Sequence, residues 1–172
     1  MKVQKMALLG VLTAAAIVIA ILESFIPSIG IPGVKMGLAN IVILLILYEL
    51  GIVEAIIVNM LRVLMVSLIR GTFLSMGFLM SLTGAFLSLA IMILFFVLIK
   101  KFSIIGVSVI GSIFHVTGQI LIAMIFLGTA YIFLYLPVIA ISAIITGVFV
   151  GIVAQLIIKT GIIKKQREKY NF

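Results

Sequence analysis

A chain of 172 residues that is 66% hydrophobic and only 9% charged is not a soluble domain, because soluble domains carry about 25% charged residues. Its net charge of +8 sits mostly in three short clusters flanking apolar runs, which is topology signalling rather than a nucleic-acid surface. There is no cysteine, so disulfide frames and thiolate chemistry are excluded.

Several apolar runs are long enough to span a bilayer, which predicts an all-α integral membrane protein built as one bundle without a soluble domain. The opening Met1-Lys2-Val3-Gln4-Lys5 before an apolar run is similar to a signal peptide, with Ala14-Ala15-Ala16 as a conceivable cleavage site. The run continues to about Phe25 and no polar mature domain follows, so a retained first helix over 6–25 is expected.

The next stretch, Pro32-Gly33-Val34-Lys35-Met36-Gly37-Leu38-Ala39-Asn40, gathers two kinds of breaker, a lysine and an amide in an otherwise apolar region. Proline fixes φ and lacks an N–H, and glycine weakens a helix. With Pro27-Ser28-Ile29-Gly30-Ile31 before it, it reads as a structured outer loop running into a second helix over 36–50. That helix would measure roughly 22 Å, short of a hydrocarbon core of about 30 Å. A loop dipping inward would make up the length, which is tolerated only where backbone is packed in protein or lines a cavity.

Gly51, between Glu49 and Glu54, turns the chain into a third helix over 52–69, closed by Arg70-Gly71-Thr72. A fourth follows over 73–99, then a tight turn at Lys100-Lys101 and a fifth over 103–127. The segment 128–136 is aromatic-rich, and Pro137 suits the first turn of a sixth helix over 137–159. Residues 160–172 form a basic cytoplasmic tail. Lys2 and Lys5, Lys100 and Lys101, and the cluster Lys159, Lys164, Lys165, Arg167 and Lys169 fall on one side of six spans, which predicts cytoplasmic N- and C-termini.

Arg62, near the middle of the third helix, is the most expensive residue in the chain, and an intramembrane ionisable group is a functional candidate by default. It either reads a ligand or bridges helices through backbone carbonyls and Asn59, which shares its face. His115 is the only histidine; Gly111, His115, Gln119 and Ala123 recur every four residues on one face of the fifth helix. A ligand-contacting pair at His115 and Gln119 and a hydrogen-bonded core pair are both open, and without a second His, Cys or Asp a metal site is not expected. Lys35, Arg62 and Arg70 are opposed at that end only by Glu23, which favours an anionic ligand. The alternative is that Glu23 pairs with Lys35 while Arg70 snorkels to headgroups. Tyr131, Phe133 and Tyr135 read as an interfacial belt ahead of a binding lid.

Small residues four apart mark close helix approach: Gly10/Ala14 and Ala16/Ala20 in the first helix, Gly77, Ser81, Gly84 and Ser88 in the fourth, Ala143, Gly147 and Gly151 in the sixth. No phosphate-binding G-x-x-x-x-G-K-[ST] loop is present, there is no aspartate, and the glutamates are Glu23, Glu49, Glu54 and Glu168. Magnesium-diphosphate chemistry needs clustered carboxylates, so neither catalysis, a metal nor a cofactor is expected.

The stretch Pro32 to Asn40, Arg62 within Leu61-Arg62-Val63-Leu64, and Gly106-Val107-Ser108 followed by His115-Val116-Thr117-Gly118-Gln119 resemble the Gx transporter family, also labelled heptaprenyl diphosphate synthase component I, over about 6–158. That family resembles the substrate-binding (S) components of energy-coupling factor transporters, six-helix proteins of the plasma membrane. The resemblance implies capture of a vitamin-like or anionic micronutrient from outside, with a separate transmembrane coupling subunit and two ATPases as partners. It implies a pocket lined by Lys35, Asn40, Arg62, His115 and Gln119, and partner docking through Gly10/Ala14 or Ala16/Ala20. Some relatives belong to flavin-based extracellular electron-transfer gene sets, so a membrane subunit of a flavin- or quinone/isoprenoid-linked complex is the alternative.

Overall fold

The computed structural model describes residues 2–25, 35, 37–99 and 102–170. Pro27, Gly30, Pro32 and Gly33 of the expected outer loop, Met36 and the Lys100-Lys101 turn lie outside the described residues. The described chain is helical: α1 (Lys2–Glu23), α2 (Asn40–Glu49), α3 (Ile52–Ile69), α4 (Met76–Leu98), α5 (Ile104–Leu127), a 3-10 segment (Ala130–Tyr135), α6 (Leu136–Thr160) and α7 (Ile162–Tyr170). Among the described residues, five stretches are long and apolar enough to cross a bilayer, each within or containing one of α1, α3, α4, α5 and α6, the character of a multi-pass membrane protein.

The sixth apolar helix differs from expectation. α2 begins at Asn40 rather than 36, and its 10 residues rise only about 15 Å. Gly37 has a φ of +85°, which ends any continuation backward, and the amides of Asn40 and Ile41 turn onto the carbonyls of Gly37 and Leu38. Val42 through Leu47 are all buried, against α1, α3 and α6. A helix apolar on every side must be surrounded, and α2 is the enclosed centre of the bundle.

The other boundaries follow local chemistry. α4 starts at Met76 rather than 73 because Ser75 caps it, its Oγ accepting the Phe78 amide at 3.3 Å. Ser103 caps α5 through the Gly106 amide at 3.0 Å. Beyond Gly161, in the left-handed region at φ +66°, the expected tail instead folds as α7. Ile163 of α7 packs into the core, and Arg167 donates to the Glu49 carbonyl at 2.9 Å. Lys5 pairs with Glu54. The start of α1, the α2–α3 turn and α7 therefore share one end of the bundle, while Glu23, Lys35, the start of α2 and Arg70 share the other.

The α4–α5–α6 block is held by backbone approach. A methyl added at Gly118 would stand 2.9 Å from the Gly84 Cα, one at Gly147 2.7 Å from the Val109 Cα, and one at Gly151 2.7 Å from the Ile105 Cα. The small-residue stripes of α4 and α6 are thus internal packing, the mode expected where apolar side chains gain nothing by leaving lipid. In α1 the two pairs separate: Ala16 and Ala20 are 0% and 8% exposed and pack inward, which removes them as an outer docking surface, whereas Gly10 and Ala14 are exposed.

Gly118→Ala and Gly147→Ala should each destabilise the bundle by about 1–3 kcal/mol, because the methyl meets backbone and not a flexible side-chain end. Gly10→Ala, with nothing within 4 Å, should melt like wild type. Thermal melts of the three purified variants in detergent check both.

Candidate functional site

A cavity of about 220 Å³ opens at the end of the bundle that carries Glu23 and Arg70. α1 contributes Ala20 and Glu23, the segment before α2 Lys35 and Gly37, and α3 the stripe Arg62, Val63, Val66, Ser67 and Arg70. Thr72, then Gly77, Phe78 and Ser81 of α4, and His115 of α5 close it. Tyr131, Phe133 and Tyr135 are not among its lining residues and are largely exposed, which fits the belt and not the lid.

Arg62 is 4% exposed, and its guanidinium is held by neutral groups. Nη2 donates to Asn59 Oδ1 at 2.7 Å, and Nη1 lies 3.5 Å from Asn40 Oδ1, a long contact. Each amide is fixed from behind: Asn59 Nδ2 donates to the Ala85 carbonyl at 3.0 Å and Asn40 Nδ2 to Ser88 Oγ at 3.3 Å. A network from α2, α3 and α4 thus aims one buried cation at the cavity. Among the described residues the ion pairs are Lys5–Glu54 and Lys164–Glu168, so no carboxylate lies within 4.0 Å of Arg62, Lys35 or Arg70.

Glu23 is used differently. It is 5% exposed and accepts the backbone amide of Gly37, so it holds the segment before α2 and does not pair with Lys35. Three cations meet one carboxylate at this cavity.

Five residues were expected to line a pocket, and three of them do: Lys35, Arg62 and His115. Asn40 stands behind Arg62 as its support. Gln119 is fully buried and occupied at both ends: its Oε1 accepts the Lys35 backbone amide at 2.9 Å, and its Nε2 lies 2.8 Å from His115 Nε2. An amide nitrogen only donates, so His115 Nε2 accepts and the ring proton sits on Nδ1. That Nδ1 is buried with no partner among the described residues. Gln119 therefore positions Lys35 and His115 from outside the cavity, a correction to the expected direct ligand contact.

The lining residues beyond the expected set have different histories in the sequence. Gly77 and Ser81 belong to a stripe that spacing assigns to packing, and Ala20 to a pair assigned to docking. Ser67 and Phe78 carry no signal, since a hydroxyl or an aromatic in a spanning helix is unremarkable by itself, and Thr72 stands in the sequence only as part of the turn that closes α3. What recruits them is the register of α3 against α4, with Arg62 bonded to Asn59 and Asn59 to the carbonyl of Ala85.

No curated protein and no solved structure matches the chain. The family described as heptaprenyl diphosphate synthase component I matches residues 12–157, which take in Arg62, His115, Gln119 and every helix except α7, with α1 and α6 trimmed at their outer ends. Over that length the match leaves no part of the cavity outside it, and the chain belongs to the heptaprenyl diphosphate synthase component I family.

Proposed function

We propose that the chain is the substrate-binding membrane component of a micronutrient uptake transporter, in the manner of the S components of energy-coupling factor transporters. It captures an anionic small molecule at the cavity and relies on separate coupling and ATPase subunits for energy. The observation that carries this reading is Arg62: a buried guanidinium facing a cavity, held by two amide oxygens with no carboxylate within 4.0 Å among the described residues. Burying an ion costs several kcal/mol unless it is paired. Neutral supports leave the guanidinium without an ion-pair partner, and the cavity's one carboxylate, Glu23, is engaged by the Gly37 amide, so three cations remain for an anion that enters.

The chain itself is not an enzyme on this reading. Glu23 is the single carboxylate at the cavity; Glu49 and Glu54 lie at the opposite end of the bundle and Glu168 in α7. A binding role needs the cations and the donors that are there, and no carboxylate pair is needed to hold a metal for diphosphate chemistry.

In the membrane, α1 to α6 are six segments of one transmembrane domain. The basic end, with Lys5, Lys164, Lys165 and Arg167, faces the cytoplasm of a cell whose plasma membrane holds the protein, and the cavity faces outside. Reporters fused at the C-terminus and within Thr129–Leu134 should read cytoplasmic and external, respectively. An external C-terminus would turn the cavity inward and remove uptake as its role.

A coupling subunit has one small-residue face of α1 to rest on, the exposed side with Gly10 and Ala14. Gly10→Leu should leave the isolated protein as stable as wild type and lower its co-purification with a coupling subunit. Normal co-purification would move the docking surface elsewhere.

The test of the binding reading is Arg62→Met, which keeps much of the length and removes the charge and five donors. Ligand-free melting should change little, because the loss of a buried charge offsets the amide oxygens of Asn59 and Asn40 left without that donor. Stabilisation by the anion that co-purifies with wild type, identified by native mass spectrometry, should fall by about 1.5–3 kcal/mol. Arg62→Lys should restore part of it, because an ammonium lacks the planar fork. Full ligand stabilisation in a well-folded Arg62→Met protein would take Arg62 out of the site.

A further inference from the structure

We propose that the ligand is a two-ended anion, an elongated small molecule with one acidic group for Arg62 at the inner end of the cavity and a second for Arg70 at its mouth. This rests on the anion-capture reading above and adds to it the spacing of the charges. Arg62, Val63, Val66, Ser67 and Arg70 all line the cavity, and on a helix these positions form one continuous stripe. Eight positions separate the two arginines, a rise of about 12 Å along α3. A single cavity of about 220 Å³ therefore runs beside two turns of helix, with a cation at each end and Val63, Val66 and Phe78 between them.

Neither arginine is ion-paired from within: no carboxylate lies within 4.0 Å of either among the described residues. Arg62 is buried and Arg70 exposed, so the two poles differ in depth as well as position. Lys35, the third cation, lines the same cavity. The outer pole has further donors. Ser75 Oγ takes the Phe78 amide, which leaves the amides of Met76 and Gly77 without an intrahelical acceptor at the start of α4. Gly77 lines the cavity and has no side chain to cover them.

A monoacid engages Arg62 and leaves the outer pole to water. Inorganic phosphate is compact and reaches one pole at a time. Two acidic groups joined by a short apolar linker meet both poles, with the linker against Val63, Val66 and Phe78.

The experiment is a set of melting titrations on wild type, Arg62→Met and Arg70→Gln in phosphatidylcholine nanodiscs, with succinate, suberate, sebacate, octanoate and inorganic phosphate as probes. Arg62→Lys replaces Arg62→Met should the latter melt as unfolded. Suberate or sebacate should bind wild type roughly ten- to a hundredfold tighter than octanoate, succinate or phosphate. Arg70→Gln should bring the long diacids down to the level of octanoate, and the Arg62 variant should weaken diacids and octanoate together. Long diacids no tighter than octanoate, or a margin that survives Arg70→Gln, would overturn the two-ended ligand and leave the Arg62 anion site standing. Indifference of wild type and the Arg62 variant to every acid would overturn both. If phosphatidylglycerol in the nanodisc erases the diacid margin, Arg70 holds a lipid headgroup and the two-ended ligand is overturned.

Discussion

A guanidinium buried in the bundle and held by neutral amides is the constraint around which the other helices are arranged. Asn59 reaches Arg62 from one turn earlier on α3 and the Ala85 carbonyl on α4; Asn40 reaches the same arginine from the first position of α2 and Ser88 on α4. The arrangement works only if α2 starts where it does and if α3 and α4 keep their register. Removing one amide would leave a buried donor or acceptor unmet, at about 1–3 kcal/mol each. A carboxylate in either place would hold the arginine better and would also consume its charge.

The shortness of α2 belongs to the same arrangement. A full-length span through the centre of the bundle would fill the space that the cavity occupies. By beginning at Asn40, α2 leaves Lys35 and Gly37 outside the helix, and Glu23 and Gln119 reach from α1 and α5 to accept the amides of Gly37 and Lys35. Both are buried side chains spent on main-chain groups. Backbone at such depth must be satisfied by protein, and two polar residues from the surrounding helices do it.

The helical class and most boundaries were legible in the sequence because apolar runs in a membrane protein are long and their breaks are chemical: Gly51, Ser103, Gly128 and Pro137 all mark real transitions. Arg62 as the pivotal residue was legible from cost alone. Three things were not. The length of α2 depends on the conformation of Gly37, which no periodicity reports. The sorting of small residues into inner and outer pairs depends on helix rotation: Ala16 and Gly10 are alike in sequence and opposite in burial. The role of Gln119 depends on a contact with Lys35 across 84 positions, and a polar stripe on one helix says only that something polar faces it.

The helix α1 is tied down by polar contacts at its two extremes: Lys5 to Glu54 at one end, Glu23 to the Gly37 amide at the other. Eighteen positions, about 27 Å, lie between these tethers. Its single hydroxyl, Thr13, bonds within the helix, and Ala16 and Ala20 give it a smooth bearing surface against the core. Both tethers sit at the ends of an otherwise apolar helix, so polar contacts fix the axial position of α1 at its tips while apolar packing holds the length between them.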